Sequence, residues 1–167
     1  MKKKILVTGG AGYIGSMLVT KLIQLGYKVT VIDLLKYSST SLNHLYFNKN
    51  FKLIVGDVRN KNLIKKEIKK NEFIIPLAAL VGAPLCEKNK NEAISVNLDS
   101  IKFLMKNTKI KNKIIFLTSN SGYGIGKKNK FCDEDSPLKP ISLYGITKVE
   151  AEKMVMKSKN VICFRLA

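Results

Sequence analysis

Arginine is almost missing from this chain of 167 residues. Of 30 basic side chains only Arg59 and Arg165 are arginines, and the rest are lysines. Base-edge readout favours guanidinium forks, and single-strand binding favours interleaved aromatics on one surface. Neither pattern is visible, so the formal charge of +18 reads as a bias toward lysine, asparagine and isoleucine, and no nucleic-acid partner is expected. Cysteine is also scarce. Cys86, Cys132 and Cys163 are odd in number and widely spaced, which excludes a disulfide framework and a metal-ligand pattern and fits reduced thiols in the cytoplasm. Long apolar runs are lacking too, since no window approaches the roughly 20 residues of a membrane span. The start, "MKKKILVTGG", reaches glycine too soon for a secretory signal and reads as a first strand. There is no internal repeat and no low-complexity segment.

What is present is alternation. Short β-branched runs at Lys4–Thr8, Lys28–Asp33, Phe51–Val55, Phe73–Leu77, Lys113–Thr118 and Val161–Arg165 read as strands. Segments of helical period lie between them near Gly12–Leu25, Lys61–Lys70, Glu92–Lys106 and Ser142–Lys157. A long link from Leu34 to Asn50 has room for a helical turn. This order predicts an α/β fold of βαβ units, a doubly wound, mostly parallel sheet with helices on both faces. One domain is expected over residues 1–167, because the length leaves no room for a second. The last strand, "NVICFRLA", reads as buried and central, so the sheet is expected to be truncated after about six strands.

The first strand runs into "TGGAGYIGS", which holds G-x-G-x-x-G at Gly10, Gly12 and Gly15 and G-x-x-G-x-x-G at Gly9, Gly12 and Gly15. Glycines there permit a tight turn and close backbone approach to a pyrophosphate, and the helix opening at Tyr13 and Ile14 offers free N–H groups. A glycine triplet alone is weak evidence; a strand before it, a helix after it and Asp33 about 20 residues on make it specific. Asp33 would accept the ribose hydroxyls, or else cap a turn. Leu34 and Leu35 follow it where an arginine would pair with a 2′-phosphate, so NAD is expected over NADP, with Lys36 weakening that preference. Asp57 and Val58 end the third strand in "GDVR", where adenine would lie; a plain turn carboxylate fits Asp57 nearly as well.

Thr118, Ser119, Asn120 and Ser121 follow the fifth strand, and Tyr144 comes 25 residues after Ser119, with Lys148 four further on. Residues four apart share one helical face. Such a pair is either a solvated couple on a lysine-rich helix or the working end of an active site.

Seven motifs in register resemble the extended short-chain dehydrogenase/reductases, specifically the NAD-dependent epimerase/dehydratase group acting on nucleotide sugars. They are "TGGAGYIGS", "GDVR", "LAA" (Leu77, Ala78 and Ala79, beside the cofactor), "VN" (Val96 and Asn97), "TSNSGYG", Tyr144-x-x-x-Lys148, and "FRLA". "DEDSPLKP" before "SLYGITKVEAEK" is the family's habitual approach to that helix. The resemblance implies that Tyr144 is the general base, its pKa lowered by Lys148 and the nicotinamide charge, that Ser119 hydrogen-bonds the developing carbonyl, and that Lys148 also holds the nicotinamide ribose. It implies that Asn97 props the helix and backbone near the site, that the partner is a nucleotide sugar, and that the protein is a homodimer.

Departures from the pattern qualify this. Pro76 stands where histidine is usual and Gly122 where a β-branched residue is usual, which implies altered packing. No carboxylate follows Thr118, whereas 4,6-dehydratases carry an Asp-Glu pair after the threonine, so epimerase or dehydrogenase chemistry is favoured. Asp133, Glu134 and Asp135 are expected to be solvated loop residues and helix-dipole partners. The resemblance implies members about twice this length, so the carboxyl-terminal substrate-binding region is expected to be absent here. A non-catalytic dinucleotide-binding or sensor module is therefore the alternative expectation, and a basic nucleic-acid binder a more remote one. Ile94, Ile101, Leu104, Val149, Met154 and Val155 suit either a dimer contact or packing on the sheet.

Overall fold

The computed structural model describes residues 2–126 and 131–166; Ala167, which closes the "FRLA" match, lies outside the described residues. Six strands form one all-parallel sheet: β1 (Lys4–Thr8), β2 (Lys28–Asp33), β3 (Phe51–Val55), β4 (Phe73–Pro76), β5 (Lys113–Ser119) and β6 (Val161–Leu166), in the order β3-β2-β1-β4-β5-β6. The order reverses direction between β1 and β4, where Val7 is in register with Ile75. That is the switch point of a doubly wound sheet, at which the crevice beyond the strands' carboxyl ends takes ligands.

Helices cover both faces: α1 (Tyr13–Gln24), α2 (Lys61–Lys70), α3 (Ala83–Lys88), α4 (Lys90–Ile94), α5 (Ser100–Asn107) and α6 (Leu143–Val155). Strand residues sort by the two-residue period. Leu6, Ile32, Ile74, Ile114 and Phe116 pack on one face under Ile64, Ile68, Leu104 and Val155. Val7, Val29, Val31 and Ile75 pack on the other under Val19 and Ile23 of α1 and Leu42 and Leu45 of the β2–β3 link. That link holds a 3-10 turn at Asn43–Leu45.

The expected elements are present with local differences. β4 stops at Pro76 rather than Leu77, while β5 and β6 each run one residue further than expected. α3 was not expected; its Pro84 sits in the first turn, where a missing N–H costs nothing. The single helix expected over Glu92–Lys106 is interrupted, with π-helical geometry at Ser95–Asp99 between α4 and α5. The extra residue per turn there turns Asn97 inward to 2% exposure. Ile101, Leu104, Val149 and Val155 are buried within the chain, so of the six apolar positions only Ile94 and Met154 retain appreciable surface.

Candidate active site

The glycine turn is built by close approach. Gly9 has φ +72°, and a Cβ there would lie 2.5 Å from Ala78 N; a Cβ on Gly15 would lie 2.4 Å from the Gly9 carbonyl oxygen. Both positions therefore require glycine. Gly12 N donates to Gly9 O (3.2 Å), and α1 opens immediately afterwards without a side-chain cap. Its first N–H groups face the crevice.

Asp33 closes β2. Its Oδ2 accepts from Ala11 N (2.9 Å) and its Oδ1 from Leu35 N (2.8 Å), so the carboxylate both caps a turn and ties β2 to the glycine loop. A carboxylate has about four acceptor sites, which leaves capacity for ribose hydroxyls. Leu35 has φ +57°, a left-handed conformation that the sequence does not announce. At the end of β3, Asp57 forms a bidentate ion pair with Arg59, with Nε donating at 2.9 and 3.0 Å. The Arg59 guanidinium holds the Asp57 carboxyl below its ordinary range.

Across the switch point lie Tyr144 and Lys148. Ser142 caps α6, its hydroxyl accepting from Gly145 N (3.1 Å), which fixes Tyr144 in the first turn and Lys148 one turn deeper. A carboxylate that bonds this helix start is Glu87, whose Oε1 accepts from Leu143 N (3.3 Å). The loop acids remain exposed; Arg165 holds their backbone, donating to Glu134 O (2.9 Å) while its Nη2 pairs with Glu152 Oε1 of α6 (2.6 Å).

Lys148 is 8% exposed, and its Nζ donates to Leu117 O (2.7 Å) and lies 4.7 Å from the centre of the Phe116 ring. Burial lowers its pKa to about 8. Burial raises that of the Tyr144 phenol, with nearby Ser119 opposing the shift. The lowering expected from Lys148 together with the nicotinamide charge concerns the cofactor-bound site; here burial is the largest influence on the phenol, and the Lys148 ammonium donates to the Leu117 carbonyl. The Ser119 hydroxyl accepts from Ser121 N (3.2 Å) and donates within its own turn, to Ser121 Oγ (3.0 Å) or Asn120 Oδ1 (3.4 Å). Gly122 packs where a Cβ would lie 2.9 Å from Val149 Cγ2, so a β-branched residue at 122 would require the Val149 side chain to move.

One cleft of about 420 Å³ gathers these groups. Gly9, Gly12, Tyr13, Ile14, Gly15, Asp33, Asp57, Val58, Leu77, Ala78, Ala79, Tyr144 and Lys148 all line it; Ser119 sits just outside. Thr118 Oγ1, also on the cleft, is the one fully buried side-chain polar atom without a hydrogen-bond partner among the described residues. Sequence reasoning gave no role at the cleft to Glu92, which also lines it and pairs with Lys36 (3.1 Å). No local signal could have revealed a contact between residues 56 apart. Asn97 also stands beside the cleft, its Oδ1 accepting from Leu80 N (2.8 Å) and its Nδ2 donating to Leu80 O (2.9 Å).

A parallel sheet with a glycine turn at its switch point and an acid ending β2 defines a dinucleotide-binding α/β protein. The sequence model of the NAD-dependent epimerase/dehydratase family matches residues 5–165, and the chain belongs to that family. It is 34% identical over 154 residues to a putative UDP-glucose 4-epimerase of Methanocaldococcus jannaschii, covering 90% of this chain and 49% of that one. It is 32% identical over 148 residues to a UDP-N-acetyl-alpha-D-glucosaminuronate decarboxylase of Bacillus cytotoxicus, covering 88% and 44%. Among solved structures, the UDP-N-acetylglucosamine 4-epimerase of Methanobrevibacter ruminantium superposes with a TM-score of 0.86 at 29% identity, covering 99% of this chain and 55% of that chain. The chain spans about half the length of the relatives it matches.

Proposed function

We propose that this chain is the cofactor-binding portion of an NAD-dependent nucleotide-sugar epimerase or dehydrogenase, with Tyr144 as general base. The observation that carries the reading is that one cleft joins the glycine turn and Asp33 on one side of the switch point to Tyr144 and Lys148 on the other. The cleft's own chemistry fits a dinucleotide: Gly9 and Gly15 leave no room for a Cβ, and α1 opens on the cleft without a side-chain cap, where it would favour anionic phosphates.

The cofactor supplies a hydride acceptor and, when oxidised, a positive charge near the phenol. The glycine turn and the α1 N-terminus would hold the pyrophosphate, Asp33 the adenosine ribose, and Ala78 and Ala79 the wall beside it. Tyr144 takes a proton from a sugar hydroxyl, and Ser119 donates a hydrogen bond to the same oxygen as carbonyl character develops. Burial keeps the phenol protonated, so the base forms at neutral pH only where the charge of the Lys148 ammonium or of the oxidised cofactor bears on Tyr144. The relatives' names point to UDP-sugars as the substrate class. Asn120 and Ser121 after Ser119 provide no acid for a departing hydroxyl, which favours epimerisation or simple oxidation over dehydration.

The test is titration of NAD into this protein, followed by incubation of the longer chain containing it with UDP-glucose and UDP-N-acetylglucosamine, scored by NMR for the 4-epimer or the oxidised sugar. NAD binding with turnover supports the reading. NAD binding without turnover of any nucleotide sugar makes it a binding module, and no binding of any dinucleotide rejects it.

A further inference from the structure

The adenosine end of the cleft carries an electrostatic arrangement that the motifs do not specify. Lys36 Nζ, three residues beyond Asp33, reaches Glu92 of α4 at 3.1 and 3.4 Å from its two carboxylate oxygens. Asp57 binds Arg59 alongside, and the Glu92 charge also reinforces the Arg59 guanidinium. Lys36 and Arg59, the two cations bonded at this end, are thus each committed to a carboxylate. With Asp33, three carboxylates face two cations, so on a chain of net charge +18 this end of the cleft is locally anionic.

We propose that Glu92 determines cofactor specificity: by engaging Lys36 across the cleft it denies a 2′-phosphate its cation, and it makes the site select the unphosphorylated dinucleotide. This rests on the dinucleotide reading above. A lysine just past the acid that ends β2 is well placed to meet a 2′-phosphate, and without Glu92 it would offer a free point charge to the phosphate. With Glu92 present, a phosphate must both break that pair and approach two further carboxylates. The ion pair is half-exposed, with side chains 49% and 27% accessible, so its contribution to fold stability is small. Its effect is on ligand choice, where like-charge juxtaposition is felt directly.

The experiment is calorimetric titration of NAD and NADP into wild type, Glu92→Gln, Lys36→Ala and the double variant, at low and at 0.3 M salt. Thermal melts and far-UV spectra check folding. The expected result is that wild type prefers NAD, and that Glu92→Gln tightens NADP about five- to tenfold while leaving NAD within about twofold. That gain should disappear in the double variant and shrink at high salt. Glu92→Gln with an unchanged ratio of NADP to NAD affinity, or a wild type that already prefers NADP, overturns the proposal and leaves the dinucleotide site intact. Binding of neither dinucleotide by wild type overturns the site reading itself, together with the inference drawn from it.

Discussion

The side-chain amide of Asn97 engages both polar groups of Leu80's main chain: Oδ1 accepts from Leu80 N at 2.8 Å and Nδ2 donates to Leu80 O at 2.9 Å, an oxygen that also accepts from Cys86 Sγ at 3.4 Å. Leu80 follows directly on Leu77, Ala78 and Ala79, the segment that forms the cleft wall after β4. A side chain presented by the π-helical stretch therefore takes the place of a strand neighbour for a wall that has left the sheet.

Asn97→Leu leaves the Leu80 N–H without a partner and its carbonyl with only the weak Cys86 thiol donor. At about 1–3 kcal/mol for an unsatisfied buried group, a loss of about that size is expected in urea denaturation, with weakened dinucleotide binding. A variant as stable as wild type would show that Leu80 finds other partners.

Gly15→Ala places a methyl group 2.4 Å from Gly9 O and 2.6 Å from Gly10 Cα. These are main-chain atoms of the turn itself and cannot rotate away. Loss of NAD binding by at least about a hundredfold is expected by titration, with destabilisation of about 2–4 kcal/mol. By contrast, a Cβ on Gly82 meets nothing within 4 Å, but its φ of +92° makes alanine strained there as well.

Tyr144→Phe removes one hydroxyl and little volume. The nucleotide-sugar turnover proposed above is expected to fall by about 10²–10⁴-fold, the usual share of a general base, while the dissociation constant for NAD stays within about threefold. Retention of turnover would remove Tyr144 from the chemistry.

Lys148 carries a pH signature in the cofactor-free protein. Its pKa falls from 10.5 to about 8 on folding because burial disfavours the ammonium. Below pH 8 both folded and unfolded chains hold the proton, and the folded state bears the full cost of the buried charge. Between pH 8 and 10.5 the unfolded chain holds more protons, so this group's contribution to stability rises with pH. Lys148→Met is expected to be more stable than wild type by about 2 kcal/mol at pH 7, allowing for the lost hydrogen bond to Leu117 O. That advantage should shrink steadily by pH 10 in parallel denaturation curves. A constant gap would mean that the titrating group lies elsewhere.

The strands and the cleft were legible for physical reasons. β-branched runs such as "KVTVID" have no competing helical period, and a glycine turn between strand and helix has a narrow set of uses. α3 was missed although Pro84 marked its first turn, because six residues are too few for a periodic signal. The interruption at Ser95–Asp99 was missed because Glu92–Lys106 has an unbroken helical pattern; the inward turn of Asn97 answers to Leu80, 17 residues earlier. The Glu87 contact with the start of α6 was not legible, since it joins residues 56 positions apart.

The sequence by itself determined the period of each element, the positions where only glycine fits, and the placing of Tyr144 and Lys148 on one helical face, because these depend on local backbone geometry. Tertiary structure alone decided that the Lys148 ammonium meets Leu117 O, that Lys36 meets Glu92, and that burial outweighs the opposing influence of Ser119 at Tyr144. Those outcomes depend on desolvation and on distances between residues tens of positions apart, quantities that come into being only when the sheet has assembled.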